Sequence, residues 1–277
     1  MKRDVYYLVG PKLRRLIRRV YYLPGDLLDS ITGKRDALTP PKGRVFIGSG
    51  DFVKQGNSIL QQFIDLGGLK KNDRVLDVGC GIGRLAVPLA RYLDENGSYE
   101  GFDVVKSGID WCNKHINSQF PNFKFTHIGL KNDLYNLETD VQAKDFIFPY
   151  RENEFGFVFL TSVFTHMMPE DIEAYLKQIH RVLQKGGTCF ATFFIMNEEN
   201  KRLMQASDGL KFNYDFGNYY QHNNKVKEAN IAFEEAYLDK LFSETGFIIE
   251  KKYFGYWTGR EKEKTVDFQD IVILKKK

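Results

Sequence analysis

Apolar positions along the chain fall into short β-branched runs separated by stretches of helical periodicity. Val75, Leu76 and Val78 predict a buried strand from Arg74 onward. Gly79, Gly81 and Gly83 break that run, and Leu85, Ala86, Leu89 and Ala90 follow at helical spacing. Residues 99–102 predict a second strand, with Asp103 at its carboxyl end. Residues 106–119 predict a helix with Ile109, Trp111, Cys112 and Ile116 as its apolar positions, and 123–127 a third strand. Residues 155–161 predict a fourth, fully buried strand. A helix then opens at Pro169 with Glu170 and Asp171 in its first turn, and Gly186-Gly187 marks its end. A fifth strand is predicted over 188–196, a helix over 233–243, and a closing pair of strands over 247–257 and 266–274, joined by a charged tip at 260–264. Alternating strands and helices predict an α/β fold with a parallel sheet and right-handed crossovers.

The flanking segments have other patterns. Residues 8–23 predict a basic amphipathic helix, with Leu13, Leu16, Ile17 and Val20 on one face and Arg14, Arg15, Arg18 and Arg19 on the other. Two readings stand: a docked helix with a solvated basic face, or a surface for anionic lipid, a phosphorylated substrate or nucleic acid. Pro24-Gly25, Thr32-Gly33 and Pro40-Pro41 mark a loop after it. Residues 44–56 carry Gly48, Gly50 and Gly56 but no Lys-Ser/Thr pair, which excludes a nucleotide P-loop and suggests a lid. Residues 58–67 predict a helix, 129–154 an irregular polar connection, and 197–230 an insertion covering the sheet edge. The division is a basic helical extension and lid over 1–56, then one domain over 57–277.

Composition changes this picture little. The aromatic share of 14% supports a sizeable core, and a net charge of +4 does not by itself call for a nucleic-acid partner. Cys80, Cys112 and Cys189 are far apart and lack metal-ligand spacing, so no metal is expected and reduced thiols in the cytoplasm are. The absence of a long apolar run or a signal-peptide pattern predicts neither a membrane span nor export.

The glycine turn is the chemical centre of the sequence. Nicotinamide and flavin sites favour G-x-G-x-x-G, whereas the third glycine here falls one place early, at Gly83. Asp77, at the end of the first strand, suits an ammonium group and would sit poorly beside a pyrophosphate. Asp103, 20 residues past Gly83, suits the two hydroxyls of a ribose. These features together favour a phosphate-free nucleoside bearing an amino-acid head.

Asp77-Val78-Gly79-Cys80-Gly81-Ile82-Gly83 resembles the first motif of class I S-adenosylmethionine-dependent methyltransferases. Asp103 is similar to the family's ribose-binding acid, and Asp145-Phe146 to its adenine-flanking segment. Thr161 to His166 lies where the family faces the methyl group, and Arg181 to Gly187 resembles its approach to strand five. One departure is Phe155-Gly156, where relatives carry Phe-Asp. The resemblance implies a Rossmann-like, doubly wound seven-stranded sheet, mostly parallel with the last strand antiparallel. It also implies S-adenosyl-L-methionine as cofactor. The implied cofactor contacts are Asp77, Gly79, Cys80, Gly81, Gly83, Arg84, Asp103, Val104, Asp145, Phe146 and Thr161.

His166 is the candidate general base, with helix capping as the other reading. Arg84 either shapes the helix start or meets the cofactor carboxylate. His222, Tyr219 and Tyr220 are either acceptor-pocket residues or surface aromatics. Trp111 and Cys112 are expected to be core. The expected acceptor is a small molecule or a glycan or lipid intermediate, methylated at oxygen, since no Asn-Pro-Pro-Tyr-like signature follows strand four. The alternatives are methylation of nucleic acid or another macromolecule, and a non-catalytic cofactor-binding protein.

Overall fold

The computed structural model describes residues 10–46, 50–131, 139–223, 226 and 229–277. Parts of the expected N-terminal helix, lid, irregular connection and insertion, Gly48 among them, lie outside the described residues.

Helix α1 spans Pro11–Ile31, eight residues past the expected end, and continues through Pro24-Gly25. Proline breaks a helix by removing an N–H, but Pro24 is on the solvent side, where the carbonyl losing its partner faces water. Helix α2 spans Phe52–Asp65 and starts six residues before the expected 58, so a domain boundary after residue 56 would cut it. Asp51 fixes that start: its side chain accepts the Lys54 N–H at 2.8 Å. Gly56 lies inside the helix because a Cβ there would stand 2.7 Å from the Arg84 carbonyl. Helix and glycine turn thus touch backbone to backbone.

The central layer then builds up in the expected order. Strand β1 (Arg74–Val78) is followed by helix α3 (Ala86–Tyr92), strand β2 (Ser98–Asp103) and helix α4 (Lys106–Cys112). A π-helical turn, Asn113–Asn117, leads on towards β3 (Phe123–His127). Strand β4 (Phe155–Leu160), helix α5 (Pro169–Val182) and strand β5 (Leu183–Phe193) come next. Gly186-Gly187 lies inside β5, not at the helix end, which falls at Val182. A short strand β6 (Ile195–Met196), helix α6 (Glu198–Ala206) and strands β7 (Tyr214–Asp215), β8 (Tyr219–Gln221) and β9 (Ile231–Glu234) follow. Helix α7 (Glu235–Glu244), β10 (Phe247–Tyr253) and β11 (Asp270–Lys276) close the described chain.

The main sheet has seven strands in the order β10-β11-β5-β4-β1-β2-β3. The pairs among β1 to β5 are parallel, and the last strand, β11, is antiparallel to both its neighbours. Both faces are covered. Leu76, Val158, Leu160, Ala191 and Val272 pack beneath α5 and α7. Val75, Phe157, Phe159, Phe190 and Ile271 pack beneath α2, α3 and α4. Successive residues of each strand take opposite faces, and both are apolar because helices cover both.

Residues 197–230 are more than a cover for the sheet edge. They contribute the helix α6, and the strands β7 and β8 of a second, four-stranded sheet in the order β6-β9-β8-β7. Phe194, Met196, Met204, Phe212 and Trp257 form its own buried core.

Candidate active site

Strand order reverses between β1 and β4, and open α/β sheets bind ligands at such a switch, beyond the carboxyl ends of the strands. A cavity of about 340 Å³ lies there, within the range of small-molecule sites. Its walls come from the carboxyl ends of four neighbouring strands: Asp77 to Cys80 at the end of β1, Phe102 to Val105 at the end of β2, Ile128 and Leu130 after β3, and Thr161 to Val163 after β4.

The turn after β1 is fastened to β2 by the Gly79 and Cys80 N–H groups, which both donate to the Phe102 carbonyl at 2.9 and 3.0 Å. Gly79 has φ +84°, and a Cβ there would stand 2.6 Å from Val163 Cγ2, inside the cavity wall. Only glycine leaves that space to a ligand. Gly81 and Gly83 serve the turn itself. The Gly81 N–H donates to Asp103 Oδ2 at 2.8 Å, and a Cβ on Gly83 would strike Ile116 and Cys112.

Two carboxyls face the cavity. Asp77 is almost completely buried and accepts the Tyr99 hydroxyl at 2.7 Å. Burial pushes its carboxyl up to about 8, against the pull of the Tyr99 hydrogen bond. Asp103 accepts the Gly81 and Val105 N–H groups, one on each oxygen, at 2.8 and 2.7 Å. Burial also raises its carboxyl, while those two N–H groups work the other way. Each oxygen keeps a further lone pair for a ligand hydroxyl. Burial holds the Cys80 thiol well above its ordinary value, so the small size of this residue is what the turn uses.

Among the expected contacts, Asp77, Gly79, Cys80, Arg84, Asp103, Val104, Thr161 and His166 line this one cavity. Arg84 also reaches α2: its Nη1 donates to Gln55 Oε1 at 2.6 Å and its guanidinium lies over the Phe52 ring. Asp145 and Phe146 require a correction. They line a separate surface recess with Lys144 and Glu173. The Phe146 ring packs edge-on against Phe102, and it is Ala143, at the start of the Ala143–Asp145 turn, that reaches the cavity.

His222, Tyr219 and Tyr220 do not line the cavity either. His222 Nδ1 meets the Lys211 carbonyl at 2.6 Å, Tyr219 stacks on Phe216, and the Tyr220 hydroxyl donates to Glu234. Tyr219 and Tyr220 belong to the small sheet, and His222 follows its strand β8. The expected lid is represented by Phe46, which lines the cavity, while Phe52 to Gly56 belongs to α2. Trp111 and Cys112 are core, as expected.

Other features of the site have weaker signals in the sequence. Tyr99 reads as a strand residue, and its partnership with Asp77 arises only because β1 and β2 are neighbours in register. Ser162 has φ +57°, unusual for a residue with a side chain. Its N–H donates to Thr192 Oγ1 at 2.8 Å and its hydroxyl to Gln269 Oε1 at 3.0 Å. Such strain concentrates at functional sites and is held by the surrounding fold. Among the described residues no group of His, Cys, Asp and Glu could hold a metal ion, and no helix is long and apolar enough to cross a membrane.

A Rossmann-like sheet, a glycine turn flanked by Asp77 and Asp103, and a cavity at the switch point define the methyltransferase class of α/β proteins. Residues 75–187 match the family model described as a methyltransferase domain, and this match together with the fold supports a class I S-adenosylmethionine-dependent methyltransferase. The chain is similar to phosphoethanolamine N-methyltransferase 3 of Arabidopsis thaliana, at 25% identity over 83% of this chain and 43% of that protein. It is also similar to a sterol 24-C-methyltransferase of Aspergillus fumigatus, at 24% identity over 64% of this chain and 42% of that protein. The chain thus spans less than half the length of these two relatives. Among solved structures, an S-adenosylmethionine-dependent methyltransferase of Clostridium acetobutylicum shares the fold, with a TM-score of 0.53, 14% identity, and coverage of 93% of this chain and 99% of that one.

Proposed function

We propose that the chain transfers a methyl group from S-adenosyl-L-methionine to the oxygen of a small-molecule, glycan or lipid acceptor. The observation that carries this reading is a shared cavity: His166 lines the same space as Asp77, Gly79 and Asp103. The cofactor, when bound, supplies an electrophilic methyl group on a sulfonium, so the protein need only hold and orient the partners and accept a proton.

In this reading Asp103 takes the ribose hydroxyls on the lone pairs that Gly81 and Val105 leave open. Asp77, once ionised, receives the ammonium group. Val104, Ile128 and Leu130 offer apolar flanks for the adenine, and Ala143 takes the place first given to Asp145 and Phe146. Thr161 and Cys80 close the wall near the reacting centre. His166 would accept the hydroxyl proton of the acceptor as its oxygen takes the methyl carbon and the carbon–sulfur bond breaks, its electron pair staying on sulfur. The buried, unpaired thiols of Cys80, Cys112 and Cys189 fit a reducing, cytoplasmic setting.

A nitrogen or carbon acceptor is the second reading, favoured by the names of the two relatives. The test is transfer of isotopically labelled methyl from S-adenosylmethionine to a panel of hydroxyl, amine and carbon acceptors. Turnover of a hydroxyl acceptor that drops by about a hundredfold to ten-thousandfold in His166→Ala is the expected result, with affinity for S-adenosylhomocysteine kept. Turnover only at nitrogen or carbon overturns the oxygen assignment. S-adenosylhomocysteine binding with no turnover of any acceptor supports a non-catalytic binder.

A further inference from the structure

Helix α1 is mounted the reverse of a usual surface helix. At 3.6 residues per turn, Leu13, Leu16, Ile17, Val20, Tyr21, Leu23, Leu27, Leu28 and Ile31 fall within one half of its circumference. Arg14, Arg15, Arg18, Tyr22, Asp26 and Asp29 occupy the other half. A helix on a globular core normally buries the first set. Here the polar half is the part-buried one, and the apolar half faces outward: Leu16 is 57% exposed, Val20 64% and Ile31 83%. Polar contacts hold it that way round. The Asp26 carboxylate accepts the Lys42 and Gly43 N–H groups at 2.7 and 2.9 Å, and Arg18 Nε donates to the Lys42 carbonyl at 3.2 Å. Nothing among the described residues covers the apolar strip.

We propose that this strip is a docking surface for an anionic phospholipid bilayer, in which α1 lies flat. The helix is roughly 31 Å long, enough to place the whole strip in the interfacial region at once. Its charge fits that partner. Arg14 borders the apolar strip on one side and the exposed Arg19 on the other, and no acidic residue of the helix precedes Asp26. Long basic side chains beside an apolar face extend to lipid headgroups while the face enters the acyl boundary. Tyr21, 76% exposed at the edge of the strip, is the type of residue that favours this boundary.

A parallel pairing with a second copy would set the arginines at 14–19 of the two helices against each other, like charge against like. Nucleic acid would prefer the basic half, which is turned towards the body of the protein. The helix is tied to the turn Lys42–Arg44, and Phe46, two residues further on, lines the cavity. A bilayer-bound α1 therefore sits close in sequence to the site where an acceptor is held.

This proposal does not depend on methyl transfer and is tested without it. The whole chain is sedimented with vesicles of phosphatidylcholine alone and with vesicles also containing phosphatidylglycerol, beside the double variant Leu16→Asp, Val20→Asp. Both substituted positions are exposed, so the fold is retained, and a thermal melt checks this. The expected result is binding to the anionic vesicles that weakens with salt and falls at least about tenfold in the double variant. Failure of the wild type to bind anionic vesicles, or equal binding by the variant, overturns the proposal. So does a dimer in sedimentation equilibrium, with no vesicle binding, that the same two substitutions dissolve.

Discussion

A carboxyl pushed up to about 8 holds its proton through most of the neutral range, so Asp77 must release that proton to face an ammonium group. A ligand that prefers the carboxylate drives the proton off. Its affinity therefore rises with pH while the pH is below about 8, by at most tenfold per unit. Titration calorimetry with S-adenosylhomocysteine between about pH 6 and about pH 7.5 should show this rise, and Asp77→Asn should flatten it. Gly79 makes a second prediction at this scale. A Cβ at φ +84° adds about 1–2 kcal/mol of backbone strain and pushes Val163 from the cavity wall. Gly79→Ala should weaken S-adenosylhomocysteine binding by at least about tenfold while the protein still melts cooperatively. Asp77, the glycines and Asp103 were legible because they are consecutive or follow at a fixed distance along one βαβ unit. Tyr99, Ser162 and Ala143 were not. Their roles depend on strand register, on a strained corner and on the direction of one short turn, none of which leaves a spacing in the sequence.

Asp270 joins elements that the sequence leaves unconnected. From the first residue of β11, its carboxylate accepts the N–H groups of Ile195 in β6 and Gly255 and the indole N–H of Trp257, at 2.6, 2.7 and 2.8 Å. It thereby ties the main sheet to the small one. Asp270→Ala leaves three buried donors without their acceptor and should cost about 3 kcal/mol or more, read from urea unfolding. Burial outweighs those three donors and raises the carboxyl from 3.8 to about 7. The folded chain therefore keeps a proton that the unfolded chain has lost. The stability Asp270 contributes is fully present below about 4 and is lost as the pH rises through about 7, so the deficit of Asp270→Ala should narrow over that interval. Element boundaries were the least legible level. Pro24-Gly25 reads as a break, yet α1 passes through it where water meets its exposed side. The small sheet is built from strands of two to four residues, too short for an alternation to show. His222 reads from the sequence as either a pocket residue or a surface one, and in the fold it follows β8 and meets the Lys211 carbonyl.

At the scale of the whole molecule, the seven-stranded order and its antiparallel last strand follow from the alternation of buried runs and helices together with the family resemblance. Both faces of the sheet carry apolar residues, so the strands stand out even though their inward and outward positions cannot be told apart by polarity. The orientation of α1 was not legible, because an amphipathic pattern states that a helix has two faces and not which one meets the protein. Polar contacts to the Lys42–Arg44 turn decide that, and they join residues distant along the chain. The central claim concerns the ligand of the switch-point cavity, and the most direct measurement is calorimetric titration of the wild-type chain with S-adenosylhomocysteine and, separately, with NAD. Saturable one-to-one binding of S-adenosylhomocysteine, with no heat from NAD, is the predicted result; binding of NAD with none of S-adenosylhomocysteine would contradict the account.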